Sequence, residues 1–263
     1  MFANLTNLFR YRGLIQSLVA RELKARYRGS VLGFFWSFVN PVMLLLVYSF
    51  VFSTIMPNTT QGIQPYALFM FCGILPWTWF SASLSESTNS LISGGNLIKK
   101  VLFPAEVLPI VSVLTNMVNF FLGLLILVPS LIYYHRLPFS FDLLWFPVAV
   151  AVQLIFTLAL ALALAALTVH FRDIRDLLAN VLTLWFFATP IIYSWRQDNV
   201  RAYKRLFDLN PFTHLAISYQ EILFFGQVGH WKWLLFIGGV SMVLFLAAYW
   251  LFDRLRDSFA EAV

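Results

Sequence analysis

The chain has one cysteine, Cys72, so no intrachain disulfide can form and thiolate-cluster metal sites are excluded. Charge is scarce: 11% of the 263 residues are Asp, Glu, Lys or Arg, against about a quarter in an average soluble domain. The sequence holds no Walker A loop, no HExxH pair and no GxSxG elbow, which removes the chemistries those motifs serve. No ionisable residue lies deep in an apolar run of the kind that proton- or ion-coupled carriers need. Energy for any transport must therefore come from elsewhere. There is also no internal repeat and no low-complexity segment.

What the chain does have is apolar mass. Hydrophobic residues make up 60% and mean hydropathy is +0.77, values of an integral membrane protein whose structural unit is a span of about 20 apolar residues. The net charge of +6 then reports loops facing anionic lipid rather than a nucleic-acid surface. Arg10, Arg12, Arg21 and Lys24 interrupt every early apolar stretch, so a cleavable signal peptide is not expected and the N-terminus should be retained.

Uncharged runs cover Gly29 to Ser85, Val107 to Tyr134, Leu143 to Val169, Leu177 to Trp195 and Trp233 to Phe252. The first is too long for one helix and divides at the polar turn "MPNTTQGIQP" (56–65). The expectation is an all-α membrane protein of six spans near 31–56, 66–90, 105–134, 143–169, 177–195 and 233–252. With both ends on one side, that face carries twelve Lys/Arg and the other six, which places both termini in the cytoplasm. Residues 1–30 then form a cytoplasmic interface segment, 91–104 a cytoplasmic turn and 253–263 a cytoplasmic tail. Residues 196–232 hold apolar pieces shorter than a span, read as re-entrant or interfacial helices of an external gate.

Several motifs carry two readings each. On a helix over 8–28, Arg10, Ser17, Arg21, Lys24 and Arg28 share one face, while Leu8, Tyr11, Ile15, Leu18, Val19 and Leu23 gather opposite. That pattern is an amphipathic interfacial helix, against the plainer reading of a topology signal. Arg12, Glu22 and Arg26 intrude on its apolar side, so the helix should touch protein as well as lipid. Asn40-Pro41, Pro76 and Pro190 mark kinks or unwound turns that either line a shared pathway or are ordinary structural bends. Trp77, Trp79, Phe80, Tyr193 and Trp195 form either an aromatic belt or a surface on which sugar rings stack. In "SGGNLIKKVLFPAE", Gly94-Gly95 break a helix, Asn96 can cap a short one, and Pro104 stops it. Such a helix, too short to stand alone, would rest its face of Leu97, Ile98, Val101 and Leu102 on lipid or on a partner's groove, with Lys99 and Lys100 at the rim. In "HFRDIRD" (170–176), Asp173 and Asp176 are spaced to hold Mg²⁺ with a phosphate, or else pair with the intervening arginines on a wet surface.

The stretches "LVARELKARYRGSVLGFFWSFVNPVMLLLVYSFVF", "GILPWTWFSASL", "NLIKKVLFPAEVLPI", "ATPIIYS" and "LNPFTHL" resemble the permease subunits of polysaccharide-exporting ABC transporters, the Wzm-like and TagG-like type 2 exporters of O-antigen and teichoic acid. The likeness runs nearly end to end. It implies a bacterial inner-membrane half-transporter that homodimerises, binds two copies of a separate ATPase carrying ATP and Mg²⁺, holds no cofactor of its own, and moves a lipid-linked polysaccharide outward. No residue of this chain would then be catalytic, no metal site would be needed, and nucleic acid would not be a partner.

The resemblance also distributes roles. Arg21, Lys24, Arg26 and Arg28 would receive a pyrophosphate-linked lipid headgroup, for which guanidinium geometry is suited. Asn40, Pro41, Trp77, Trp79, Phe80, Pro190, Tyr193 and Trp195 would line the channel and its gate. Asn96, Leu97, Ile98, Lys99, Lys100, Val101 and Leu102 would couple to the ATPase. The competing reading is a membrane-embedded transferase acting on polyprenyl-phosphate-linked sugars, with Asp173 and Asp176 as metal ligands.

Overall fold

A computed structural model describes residues 11–28, 35–55, 63–99, 103–136, 140–196 and 202–262, and every regular element among them is helical. The elements are α1 (Arg12–Tyr27), α2 (Trp36–Phe50, continued by a π-helical turn Val51–Ile55), α3 (Tyr66–Ser93), α4 (Gly95–Ile98) and α5 (Val107–Tyr133). A 3₁₀ turn Phe141–Leu144 leads into α6 (Trp145–His170), followed by α7 (Ile174–Phe187), α8 (Lys204–Asp208), α9 (Pro211–Gln220, continued by a π-helical turn Glu221–Phe225) and α10 (Trp231–Ala262).

Four helical stretches are long and apolar enough to cross a membrane: Tyr66–Ser93, Val107–Tyr133, Phe141–His170 and Trp231–Arg256. They coincide with four of the expected spans. The two others differ. Over expected span 31–56 the described helix is Trp36–Phe50 plus its π turn, and over 177–195 it is the 14 residues Ile174–Phe187. Fourteen residues rise about 21 Å, less than the roughly 30 Å of a hydrocarbon core. Pro41 and Pro76 stand inside continuous helices, whereas Pro190 lies in the non-helical segment after α7.

The end of α7 is a break whose backbone is satisfied by side chains, as a non-helical segment in an apolar setting requires. Tyr193 donates its hydroxyl to the Phe187 carbonyl (2.9 Å) and Asn210 Nδ2 donates to the Ala188 carbonyl (3.1 Å). Gln220 Nε2 donates to the Pro190 carbonyl (3.1 Å) and Tyr66 to the Ile192 carbonyl (3.1 Å). Asn210 does further work at the start of α9. Its Oδ1 accepts from the Phe212 N–H (3.0 Å) and the Trp185 indole (2.7 Å), and Pro211 fills the first helical position, where its missing N–H costs nothing. The "LNPFTHL" motif is thus a helix start that also ties down the preceding break.

α3 is the central helix, packed against α2, α5, α6, α7 and α9. Its Trp79, Phe80, Phe69 and Phe71 are fully buried. Along α6, Ala149, Ala159, Ala161, Ala165 and Ala166 are buried; small side chains let neighbouring backbones approach closely, and α10 packs along this helix. Past the long apolar stretch of α10, Phe252 and Phe259 close a second cluster with Leu91, Ala105 and Ile98, so the tail is part of the packed structure around α4.

Candidate functional site

α1 lies against the start of α5. Leu18 is buried with Val107 and Val111, and Tyr11, Leu14, Ile15, Val19 and Phe103 pack around them. Spacings of seven and eleven residues put Arg26 in line with Val19 and Ile15 on this same apolar face. The intruding charge has a partner there. Arg26 Nη2 donates to both carboxylate oxygens of Glu86 on α3 (2.9 and 2.9 Å), and its Nη1 donates to Asn116 Oδ1 on α5 (3.2 Å). Asn116 Nδ2 in turn donates to Glu86 Oε2 (2.7 Å) and to the Ser112 carbonyl (3.0 Å). Three elements are pinned by one closed hydrogen-bond ring. Neither Glu86 nor Asn116 stood out in the sequence; the signal was the arginine continuing an apolar stripe.

Two cavities meet at Arg26. One, of about 560 Å³, is polar: Arg21, Glu22 and Arg26 of α1 line it with Ser85, Glu86 and Asn89 of α3, Ser112 of α5 and Arg175 of α7. The other, of about 310 Å³, is mostly apolar and runs between α2, α3 and α5, with Asn40, Pro41, Leu44, Ile74, Trp79 and Phe120 among its walls. Of the expected headgroup residues, Arg21 and Arg26 line the polar cavity, while Lys24 on α1 and Arg28 just past its end are exposed. Leu97 also lines this cavity, and Ile98 leans on the α10 cluster.

α4 is shorter than expected, Gly95–Ile98, with Gly94 rather than Asn96 at its N-cap and Asn96 and Lys99 exposed. Gly94 fits because nothing larger does: a Cβ there would stand 2.4 Å from Leu108 Cδ1 and 2.9 Å from the Ser90 carbonyl oxygen. Lys100, Val101 and Leu102 lie outside the described residues.

The aromatic residues divide. Trp77 packs among Phe80, Trp185, Phe186 and Phe212; Trp79 stacks on Phe120 at 5.2 Å and donates its indole N–H to the Val113 carbonyl (3.2 Å); Phe80 stacks on Phe156 at 5.7 Å. These are core packing partners, with Trp79 alone also reaching the wall of the apolar cavity. Trp195 sits at the other end of the molecule. There it lines a cavity of about 400 Å³ with Lys204, Asp208, Thr213, His230 and Trp233. Behind that cavity, buried Glu221 accepts from the His230 backbone N–H (2.9 Å) and meets His230 Nδ1 at 2.9 Å. His214 stacks on Trp233 at 4.3 Å and donates Nε2–H to the Asp208 carbonyl (3.1 Å). Burial lowers its pKa, against smaller raising effects of the Asp208 carbonyl and carboxylate.

Asp173 and Asp176 are exposed at the start of α7. No group of three or more His, Cys, Asp or Glu is placed to hold a metal among the described residues.

The sequence pattern of the ABC-2 type transporter family matches residues 13–224, which takes in nearly all of α1, the two cavities that meet at Arg26 and the α7–α9 break. The chain belongs to the ABC-2 type transporter family. Among relatives of this permease, the O-antigen export system permease protein RfbA of Myxococcus xanthus is 44% identical over 258 residues, covering 97% of each chain. Two O-antigen export system permease proteins RfbA of Klebsiella pneumoniae are 30% and 28% identical over 250 residues, covering 94% of each chain. Family membership makes the protein the membrane component of an ABC transporter and not an enzyme.

Proposed function

We propose that this permease exports a lipid-linked polysaccharide, of the O-antigen or teichoic-acid kind, across the cytoplasmic membrane of a bacterium. The observation that carries the reading is the 44% identity, over 97% of both chains, to an O-antigen export system permease. The chain works as a homodimer with two copies of a separate ATPase that holds ATP and Mg²⁺. Its six crossings comprise the four long helices plus α2 with its π turn and α7 with the 188–196 break, and both termini face the cytoplasm.

Several features support this arrangement. α7 exposes an apolar row of Leu177, Val181 and Leu184 beside a polar row of Asp176, Asn180 and Thr183. A membrane helix with both rows suits one that meets a second copy while bordering a wet path. α2 exposes Met43, Leu46, Val47 and Phe50 in the same manner. Headgroup entry falls to the basic end of α1, with Arg21 and Arg26 inside the cavity and Lys24 and Arg28 on the membrane surface, where anionic phosphate is attracted. Asn40 and Pro41 border the path, Pro190, Tyr193 and Trp195 belong to its external gate, and residues 94–104 couple to the ATPase.

Deleting the gene should remove surface polysaccharide while lipid-linked glycan accumulates inside the cell, with restoration by the wild-type chain. Normal surface polysaccharide in the deletion strain would overturn the reading.

A further inference from the structure

We infer that the polar cavity at the α1 end is a diphosphate-ester site in which Arg175 is the third cation beside Arg21 and Arg26, and in which the ligand competes with Glu86 for Arg26. The inference deepens the export reading and rests on it for the identity of the ligand as a lipid.

The lining supplies the chemistry. Three arginines from two helices distant in sequence line one cavity, with Ser85, Asn89 and Ser112 among its other polar residues. Guanidinium is the side chain best matched to phosphate oxygens, and a partly enclosed basic pocket concentrates an anion that a flat surface would leave screened. Arg175 belongs to the charged segment 170–176, whose arginines and aspartates would be expected to pair. Among the described residues no ion pair joins it to Asp173 or Asp176, and Arg175 lines the cavity.

The competition follows from geometry. A single nitrogen of Arg26 serves both Glu86 oxygens, and the other terminal nitrogen is spent on the Asn116 amide. The parallel two-nitrogen fork, which is the stronger arrangement for guanidinium and an oxyanion, is therefore not used. Both side chains retain solvent access, 26% for Arg26 and 37% for Glu86, so the resident carboxylate is within reach of replacement. With Glu86 and Glu22 in the wall, the cavity carries two acids against three arginines. An anion that draws Arg26 off Glu86 gains a cation and loosens the ring between α1, α3 and α5.

The second cavity points to a lipid. Arg26 borders both the polar cavity and the apolar one lined by Pro41, Leu44, Ile74, Leu75 and Phe120. A diphosphate head in the first and a prenyl chain started in the second would place the phosphate–hydrocarbon junction at Arg26.

The experiment titrates the full chain in lipid nanodiscs with farnesyl diphosphate, inorganic diphosphate and phosphatidylglycerol vesicles, following binding by tryptophan fluorescence. Farnesyl diphosphate should bind, and inorganic diphosphate about tenfold more weakly for lack of the groove. Arg175→Ala, an exposed position whose loss does not threaten folding, should weaken binding about tenfold, and Arg175→Lys should weaken it less. Glu86→Gln should tighten binding several-fold, because Arg26 is released; a purely structural role for Glu86 would weaken it. Wild-type affinity in Arg175→Ala overturns the site, and weaker binding in Glu86→Gln overturns the competition. Equal affinity for farnesyl and inorganic diphosphate overturns the lipid assignment, as does equal affinity for phosphatidylglycerol. A chain that exports glycan but fails these titrations sinks this inference alone, whereas normal surface glycan in the deletion strain sinks the export reading whatever the titrations give.

Discussion

Arg26 and Glu86, 60 residues apart in sequence, are joined through two 2.9 Å contacts that fasten α1 to the central helix α3, and Asn116 of α5 closes the ring. An arginine on the apolar face, at its C-terminal end, would be a fault in an isolated amphipathic helix. Here it is the place where that helix is held.

Replacing Arg26 by Ala should lower thermal stability in detergent by about 1–3 kcal/mol, because Glu86 and Asn116 lose a charged donor at a partly buried site. A double-mutant cycle of Arg26→Ala with Glu86→Gln should show coupling of about 0.5–3 kcal/mol. Additive effects would mean that the contact contributes no interaction of its own.

The break after α7 depends on Asn210, which satisfies the Ala188 carbonyl and caps α9 with one side chain. Asn210→Ala should cost about 1–3 kcal/mol and make the 188–196 segment more susceptible to proteolysis. An unchanged melting temperature and cleavage pattern would remove the amide from its structural role.

His214 gives a pH dependence with a definite sign. Burial holds its pKa below the ordinary 6.5, so the folded state binds fewer protons than the unfolded state. Stability from this group is full above pH 6.5 and is lost as pH falls from there through the lower folded value. His214→Phe keeps a ring to stack on Trp233 and should flatten the decline in melting temperature between neutral and mildly acid pH. An identical slope in the variant would rule out His214 as its source.

Gly94 is packed too tightly for a side chain, with Leu108 Cδ1 2.4 Å from where a Cβ would stand. Gly94→Ala should displace α4 and cost about 1–3 kcal/mol, and ATPase co-purification should fall with it. Full co-purification would separate α4 placement from partner binding.

Much of this architecture is legible in apolar run length alone, because the bilayer demands long helices with internally satisfied backbones. The bounds of α3, α5 and α6 follow from that to within a few residues, whereas α10 runs on to Ala262, through most of the segment expected as a tail. α7 is different: Leu177 to Trp195 is uniformly uncharged, yet its helix stops at Phe187, and the side chains that permit the stop, Asn210, Gln220 and Tyr66, come from distant sequence. Trp77 and Phe80 carry the same aromatic signal as Trp195, but only tertiary packing separates core rings from those at a cavity. At the α1 end the basic cluster, Arg26 included, was visible, whereas Arg175 joined it through the fold, and the place of Arg26 on the apolar face found its reason only in Glu86 and Asn116 beside it.

The central claim is outward movement of a lipid-linked glycan powered by a separate ATPase. The direct measurement reconstitutes the chain with its co-expressed ATPase in vesicles loaded on one face with fluorescent polyprenyl-diphosphate-linked oligosaccharide, and follows lectin accessibility at the other. Accessibility should rise only with ATP and Mg²⁺. A rise without ATP, or none with an active ATPase bound and substrate present, would contradict the account.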